Sequence, residues 1–548
     1  AIRYGADAIG GVLLVEAATP SQNQPLKLSV NTGYFSNNRQ WNANIYLSKG
    51  SKNASYWVQS SFKRGGNAQT PTYWLGNTGL KEWNASAGWE YKKNNYTSSL
   101  YGSMFTTSIG IFDGSHISNT TDLLAVIANG KPLLNYDFTY QINRPNQEIQ
   151  HYLLRWKQTW RTANNATWQL TTGYQENRRR EFDASAIAPG QPELALNIGT
   201  ATVDGTYTFT QQNIKTTLGA FGMRQQNVWS GRRFFIPNFE QYNAALYAIR
   251  QHSFRSSFLE YSLRYDYRWM EIFRNRNNVI SSENRQFHNV SGAVGFTQKL
   301  SNRWNVTTQY TLAWRPPGIN ELFVNGLHHG SATVEIGDSS LRSETAHKFH
   351  VQANYTNADS TLQFEAQLYS NYIQSFINLE PVLPPTLTIR GAFPTFAYKQ
   401  ADAWFTGVDG SVTKQFSTHW QVKGLASLLY AYNTSTHDWL MQMPANRFQL
   451  ITQYNIKNKA NTGFGLRVLH VAHQNRFVAG QDYLPPPPAY TLVGLDVVTT
   501  QKLAHTQLQW SLTVNNVFNT VYRDYMNRFR YYADEMGRNI QVRCKIDL

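Results

Sequence analysis

The chain has 548 residues and no apolar run of roughly 18 residues, which rules out transmembrane helices. Apolar residues make up 41% and the mean hydropathy is −0.48, too polar for a helical membrane protein, while the single cysteine, Cys544, excludes a disulfide framework and a cysteine-based metal site. The net charge is +16, yet Lys and Arg are scattered through turn-like and loop-like segments instead of gathering on one patch, so nucleic-acid binding is not indicated.

Residues 1–18 differ from the rest: small side chains, a Gly10-Gly11 pair and a short apolar run read as a turn and a buried strand. From Leu26 onward the dominant signal is two-residue alternation. Trp304, Val306, Thr308, Tyr310, Leu312 and Trp314 fall on one side of a strand, and Asn305, Thr307, Gln309, Thr311 and Ala313 on the other. The pattern recurs at Leu362-Phe364-Ala366-Leu368 and at Leu508-Trp510-Leu512-Val514. Polar connections alternate between short ones, such as Lys49–Asn53 and Leu300–Arg303, and long ones at 65–82, 107–148, 177–202, 224–242, 269–287, 315–345, 372–402, 433–445, 473–488 and 517–537.

Counting between connections gives about 22 strands, from roughly 26–35 to 538–548, and the chain length supplies about 24 residues for each. That is enough for a tilted membrane crossing of about ten residues plus its share of the connections. The expected fold is all-β: a 22-stranded antiparallel transmembrane β-barrel with short periplasmic turns and long extracellular loops. An aromatic content of 14% suits interfacial girdles, and Ile540-x-Val542-x-Cys544-x-Ile546-x-Leu548 reads as a final strand with Cys544 facing lipid. Such a barrel is too wide for side chains to fill, so it is expected to hold a plug.

Several motifs resemble TonB-dependent outer-membrane receptors in the form found in Bacteroidota. Tyr4-Gly5-Ala6-Asp7-Ala8-Ile9-Gly10-Gly11-Val12 is similar to the closing strand of their plug domain. The resemblance implies two parts: the C-terminal end of a plug at 1–18 and the receptor barrel at 19–548. The chain starts at Ala1 inside this motif and is therefore read as part of a longer, processed precursor. Further stretches are Gly110–Leu124 with His116 and Asp122, Pro145-x-Gln147 with His151, and Arg179-Arg180-Glu181-Phe182-Asp183. The run Trp314-Arg315-Pro316-Pro317 through His328-His329 to Gly337-Asp338-Ser339-Ser340-Leu341 resembles the haem- and metal-uptake branches, in which a loop carries a coordinating His. The second bracketing element lacks its Pro here. Thr388–Pro394 and Asn515–Asn519 complete the set.

The candidate ligand-binding residues are His328, His329, Arg179, Arg180 and Arg232; the candidate metal ligands are His328, His329 and His116. Neutral imidazole ligates haem iron and transition metals such as zinc, and arginines bind anionic siderophores or citrate bidentately. Neighbouring His residues on an extended segment point to opposite sides, so one of the pair is expected at a given metal. His116 is paired with Asp122, near a helix expected over Thr121–Ala128. The plainer readings are loop packing for the histidines and charge pairing with Glu181 or Asp183 for the arginines. Met441 and Met443 offer thioether ligands to haem or copper, or apolar packing.

No nucleophile elbow, phosphate loop or His-Glu-x-x-His motif is present, so no enzymatic activity is expected. The resemblance implies an integral protein of the Gram-negative outer membrane that imports a scarce solute. The foremost cargo is an iron complex, siderophore or haem, followed by zinc, another metal complex or cobalamin. No intrinsic cofactor is expected. TonB, lipid, lipopolysaccharide and a surface lipoprotein are the expected partners. The alternative is an ungated porin or the scaffold barrel of an outer-membrane complex.

Overall fold

The structure, a computed structural model, describes residues 2–17, 19–183, 190–232, 234–276, 279–456, 460–503 and 506–548, without the side chains of Asn275 and Arg276. Parts of the expected connections 177–202, 224–242 and 269–287 lie outside these residues.

The wall is a closed antiparallel barrel of 22 strands. Each strand pairs with its neighbour in the wall, from Lys27–Phe35 to Asn539–Asp547, and these two pair with each other along Ser29–Asp547 to Phe35–Gln541 to close the sheet. Three short segments, Asn325–His328, Thr333–Ile336 and Asp438–Trp439, also extend the sheet but lie in the loops.

Side-chain alternation places apolar residues outside and charge inside. In Ser257–Arg276, Leu263 and Tyr265 are 61% and 47% exposed, whereas Arg264, Asp266 and Arg268 are buried on the opposite face. This inverts a soluble protein and fits a wall whose outer solvent is hydrocarbon. Trp83, Trp156, Trp168, Leu246 and Trp404 continue the exposed apolar surface around the barrel.

The short connections 51–53, 94–95, 162–166, 212–213, 254–256 and 300–303 lie at one end; the long connections lie at the other, together with the tight turn 36–39 between the first two strands. Several expected connections prove to be strand. Ser257–Arg276 and Val279–Lys299 stay in register as far as Arg276–Val279, and Leu362–Thr388 runs against Gly391–Gln415 to the pair Thr388–Gly391. Polar side chains there had the look of a loop, but the backbone groups of a hairpin can satisfy one another beyond the wall, whatever the side-chain polarity.

The start of the chain departs from expectation. Ile2–Tyr4 and Ala6–Ala8 form short 3-10 turns against the inner wall, where Arg264 Nη1 donates to the carbonyls of Ile2 (3.4 Å) and Arg3 (3.1 Å). Arg268 pairs with Asp7 at 2.7 Å, and Lys348 donates to the Ile9 carbonyl. Val12–Val15 form no buried strand; Leu13 is 91% exposed. A strand requires a partner for its backbone, and these residues have none among the described residues.

The expected helix forms at Thr120–Asn129. Asn119 caps it by accepting from the Asp122 N–H at 2.8 Å, and Gly130 ends it at φ 66°. The helix buries Leu123, Val126 and Ile127 in a cluster with Phe112, Ile117, Ala332, Val334, Phe393, Phe396, Tyr531 and Tyr532. These residues come from four long connections, so the loops pack into a roof with its own apolar core. Tyr532, fully buried, donates to the Ala332 carbonyl at 2.9 Å.

Candidate functional site

Under this roof the long connections bring together most of the histidines and arginines singled out above. The segment 325–336 holds the first group. His328 closes a short strand that pairs with Thr333–Ile336, and Thr333–Ile336 runs parallel to the strand beginning at Gly391. His328 ends its strand and His329 opens a 3-10 turn, His329–Ser331, and the two side chains diverge.

His328 lies between charges. Its Nδ1 is 3.0 Å from Glu335 Oε1 and its Nε2 is 3.0 Å from Arg179 Nη2. Arg528 reaches the same Glu335 oxygen at 3.2 Å and lies over the Phe396 ring. Burial is the largest influence on Glu335 and pushes its pKa up, but the contacts from His328 and Arg528 outweigh it and hold the carboxyl below its ordinary range. An ionised carboxylate only accepts, so Nδ1 carries the proton and Nε2 keeps its lone pair, which takes the Arg179 N–H.

His329 points the other way, 3% exposed, with its ring stacked on His116 at 6.0 Å between centroids and 6° between planes. One nitrogen from each ring and one oxygen of Asp183 all lie within 4.8 Å of one another. His329 Nδ1 and His116 Nε2 are buried without a hydrogen-bond partner. Burial dominates both imidazoles: it lowers the His329 pKa to about 3 and pushes His116 down as well, so both rings are neutral at ordinary pH.

Arg390, at the tip of the long hairpin, ties the group together. It pairs with Asp183 at 3.0 Å and Glu193 at 2.5 Å, and its Nη1 is 3.3 Å from His329 Nε2. Arg232 reaches the other Glu193 oxygen at 3.0 Å. Arg179 pairs with the fully buried Glu181, which also accepts from Gln147 at 3.0 Å. A cavity of about 320 Å3 opens beside His329 and Arg390, lined also by Glu193, Phe235, Leu327 and Ile389.

His116, Arg179, Arg232, His328 and His329 therefore share one neighbourhood. Arg180 does not: it is exposed on the opposite face of the strand Thr167–Phe182 from Arg179 and Glu181. Asp122 is occupied at its own helix start, bonded to Asn119, and Asp183 takes the place beside His116 that the sequence suggested for it. Met441 is buried, and Met443 packs against Ala403, Ala431 and Leu440, the apolar alternative for this pair. Sequence reasoning named none of Glu193, Glu335, Arg390 and Arg528 as site residues, although Glu335 and Arg390 lie within the stretches 314–341 and 388–394 singled out above.

A closed 22-strand barrel with a packed loop roof at one end defines the class of large outer-membrane transporters. Within that class, residues 20–519 match the family described as TonB dependent receptor-like, beta-barrel, and the chain belongs to that family, one of receptors and transporters that work with TonB. The chain is 24% identical over 278 residues to heme/hemopexin utilization protein C of Haemophilus influenzae (strain 86-028NP). That match spans 46% of this chain and only 37% of the relative. Among solved structures, the copper transporter OprC aligns with a TM-score of 0.76 at 14% identity, over 97% of this chain and 82% of that one. The siderophore receptor PirA from Acinetobacter baumannii aligns with a TM-score of 0.75 at 13% identity, over 100% and 84%. At these identities the structural matches speak to the fold alone.

Proposed function

We propose that this protein is an outer-membrane receptor that captures an iron complex, foremost haem, beneath its extracellular loops and imports it by plug-gated, TonB-dependent transport. The observation that carries the reading is His328. Glu335 fixes its proton on Nδ1, which aims a lone pair from Nε2 in the arrangement that orients metal-ligating imidazoles. Arg179 and Arg528 beside it supply cations for the carboxylates of such a ligand, and Arg179 would release Nε2 as it engages them. His329 is too deeply buried to present itself to a macrocycle in this arrangement. In the same reading, residues 1–18 are the end of a plug, and the basic loops meet lipopolysaccharide or a surface lipoprotein.

The test is a haem titration of the full receptor, followed by absorbance. A saturable Soret shift that His328→Ala abolishes and His329→Ala retains is the expected result. Absence of any shift in the unaltered receptor would remove haem and leave a siderophore or another metal complex as cargo.

A further inference from the structure

The buried side of the cluster has a chemistry of its own. Two imidazoles and a carboxylate come from three separate connections: His116 from the one after the strand ending at Gly110, Asp183 from the one after Phe182, and His329 from the one after Arg315. We propose that His116, Asp183 and His329 form a binding site for a divalent transition-metal ion of the zinc class.

Donor type and spacing carry the inference. Imidazole nitrogen and carboxylate oxygen are the ligands such ions take, at about 2.0–2.2 Å, which sets ligand atoms roughly 3.3 Å apart around a tetrahedral centre. The three donors here fall within 4.8 Å of one another, so a contraction of up to about 1.5 Å by side-chain rotation closes the set. Buried polar atoms are normally satisfied, and here one nitrogen of each ring is not. Glu181, fully buried, with Oε2 unpartnered and its charge acting on His329, is the nearby source of a fourth ligand; water is the other.

Arg390 explains how the site tolerates its own carboxylate. Its guanidinium supplies positive charge between Asp183 and His329, and its second nitrogen is already held by Glu193 at 2.5 Å. An incoming dication takes over the charge at Asp183, while Arg390 stays paired with Glu193. His329 then turns over its tautomer, or its ring, to present a lone pair to the ion.

The binding site stands on geometry alone; its role as a place of capture rests on the receptor reading above. His328 is not a ligand here, because Glu335 and Arg179 hold both its nitrogens on the far side. The same loop thus offers two different chemistries, a haem-type ligand at His328 and a bare ion at His329.

The experiment uses the full receptor in detergent with Zn2+ followed by calorimetry, and Co2+ followed by its visible ligand-field absorption. The unaltered protein should bind one ion, with a tetrahedral Co2+ spectrum. His116→Gln, His329→Gln and Asp183→Asn should each weaken binding by at least the roughly 10- to 100-fold seen when even an outer partner of a ligand is lost. Arg180→Ala, exposed on the opposite face of its strand, should bind as the unaltered protein does. Heat-modifiable migration of the folded barrel checks that each variant is intact, and Co2+ spectra of the Gln variants report the site even where the loops relax. No stoichiometric ion, or binding that survives His116→Gln/His329→Gln, overturns the site. TonB-dependent zinc and haem accumulation in cells are measured in parallel: ion binding without zinc accumulation keeps the site and removes its role in capture, ion binding without uptake of either keeps the site and sinks the receptor reading, and haem uptake without ion binding overturns the site and keeps that reading.

Discussion

At Glu335 one oxygen serves both His328 and Arg528, so the residue sets a tautomer as well as balancing charge. Glu335→Gln keeps the shape but presents an amide that can also donate, and Nδ1 loses its fixed proton acceptor. Haem affinity should fall by roughly 10- to 100-fold with the Soret position of the residual complex altered, as for loss of an outer partner elsewhere; unchanged titration curves would show that His328 needs no such orientation. Tyr532 offers a packing counterpart. Tyr532→Phe leaves the buried Ala332 carbonyl without its donor and should cost about 1–3 kcal/mol of roof stability, read by thermal unfolding of the loops. The divergence of His328 and His329 was legible in the sequence in its outcome only: it was expected from extended chain, whereas the strand ends at His328 and His329 opens a 3-10 turn. The joining of His116 to Asp183 was not, because each lies in a different connection and only the packed roof brings them together.

The elements were read most securely where one solvent faces each side. Outward Leu263 and Tyr265 against inward Arg264 and Asp266 is a pattern written in single residues. Strand ends were less legible, since the hairpin of Leu362–Thr388 and Gly391–Gln415 continues beyond the wall, where neither face needs to be apolar. The helix Thr120–Asn129 was read within a residue of its ends from its Thr/Asp start, and Asn119→Ala should cost it about 1 kcal/mol, measured as faster hydrogen exchange in its first turn. Gly391 shows how closely the hairpin meets the loop of His116. It has φ +127°, and a Cβ there would stand 2.2 Å from the Ile117 carbonyl oxygen, which accepts from the Ala392 N–H at 2.8 Å. Gly391→Ala should therefore expose the Ala392 amide to exchange and loosen the His116 loop; protection equal to that of the unaltered chain would show that the contact yields without breaking.

For the whole molecule, the roof responds to acid differently from the wall. His329 has its pKa lowered to about 3 by burial, against 6.5 for the free side chain, and His116 is shifted in the same direction. Above pH 6.5 both states leave the rings neutral and the roof has its full stability. As pH falls below 6.5, the opened loops take up protons that the closed roof refuses, so stability is lost; for His329 the loss continues to about pH 3, at no more than about 1.4 kcal/mol per pH unit. Protease cleavage in the long loops should accelerate between pH 7 and pH 5 while the barrel strands remain protected; equal cleavage at both values would show that the rings are not sequestered.

The seam between Lys27–Phe35 and Asn539–Asp547 sets an order of events. Almost every other wall pair joins strands adjacent in the chain, and such hairpins form by local search. The seam instead closes a loop of about 500 residues, an entropic cost of roughly 3–4 kcal/mol beyond that of a ten-residue turn. It is therefore the last wall contact to form, and until it does the growing sheet carries two open edges able to recruit foreign strands. Those two strands act as a clasp, and side-chain changes along Ser29–Phe35 or Gln541–Asp547 should slow assembly more than they weaken the finished barrel.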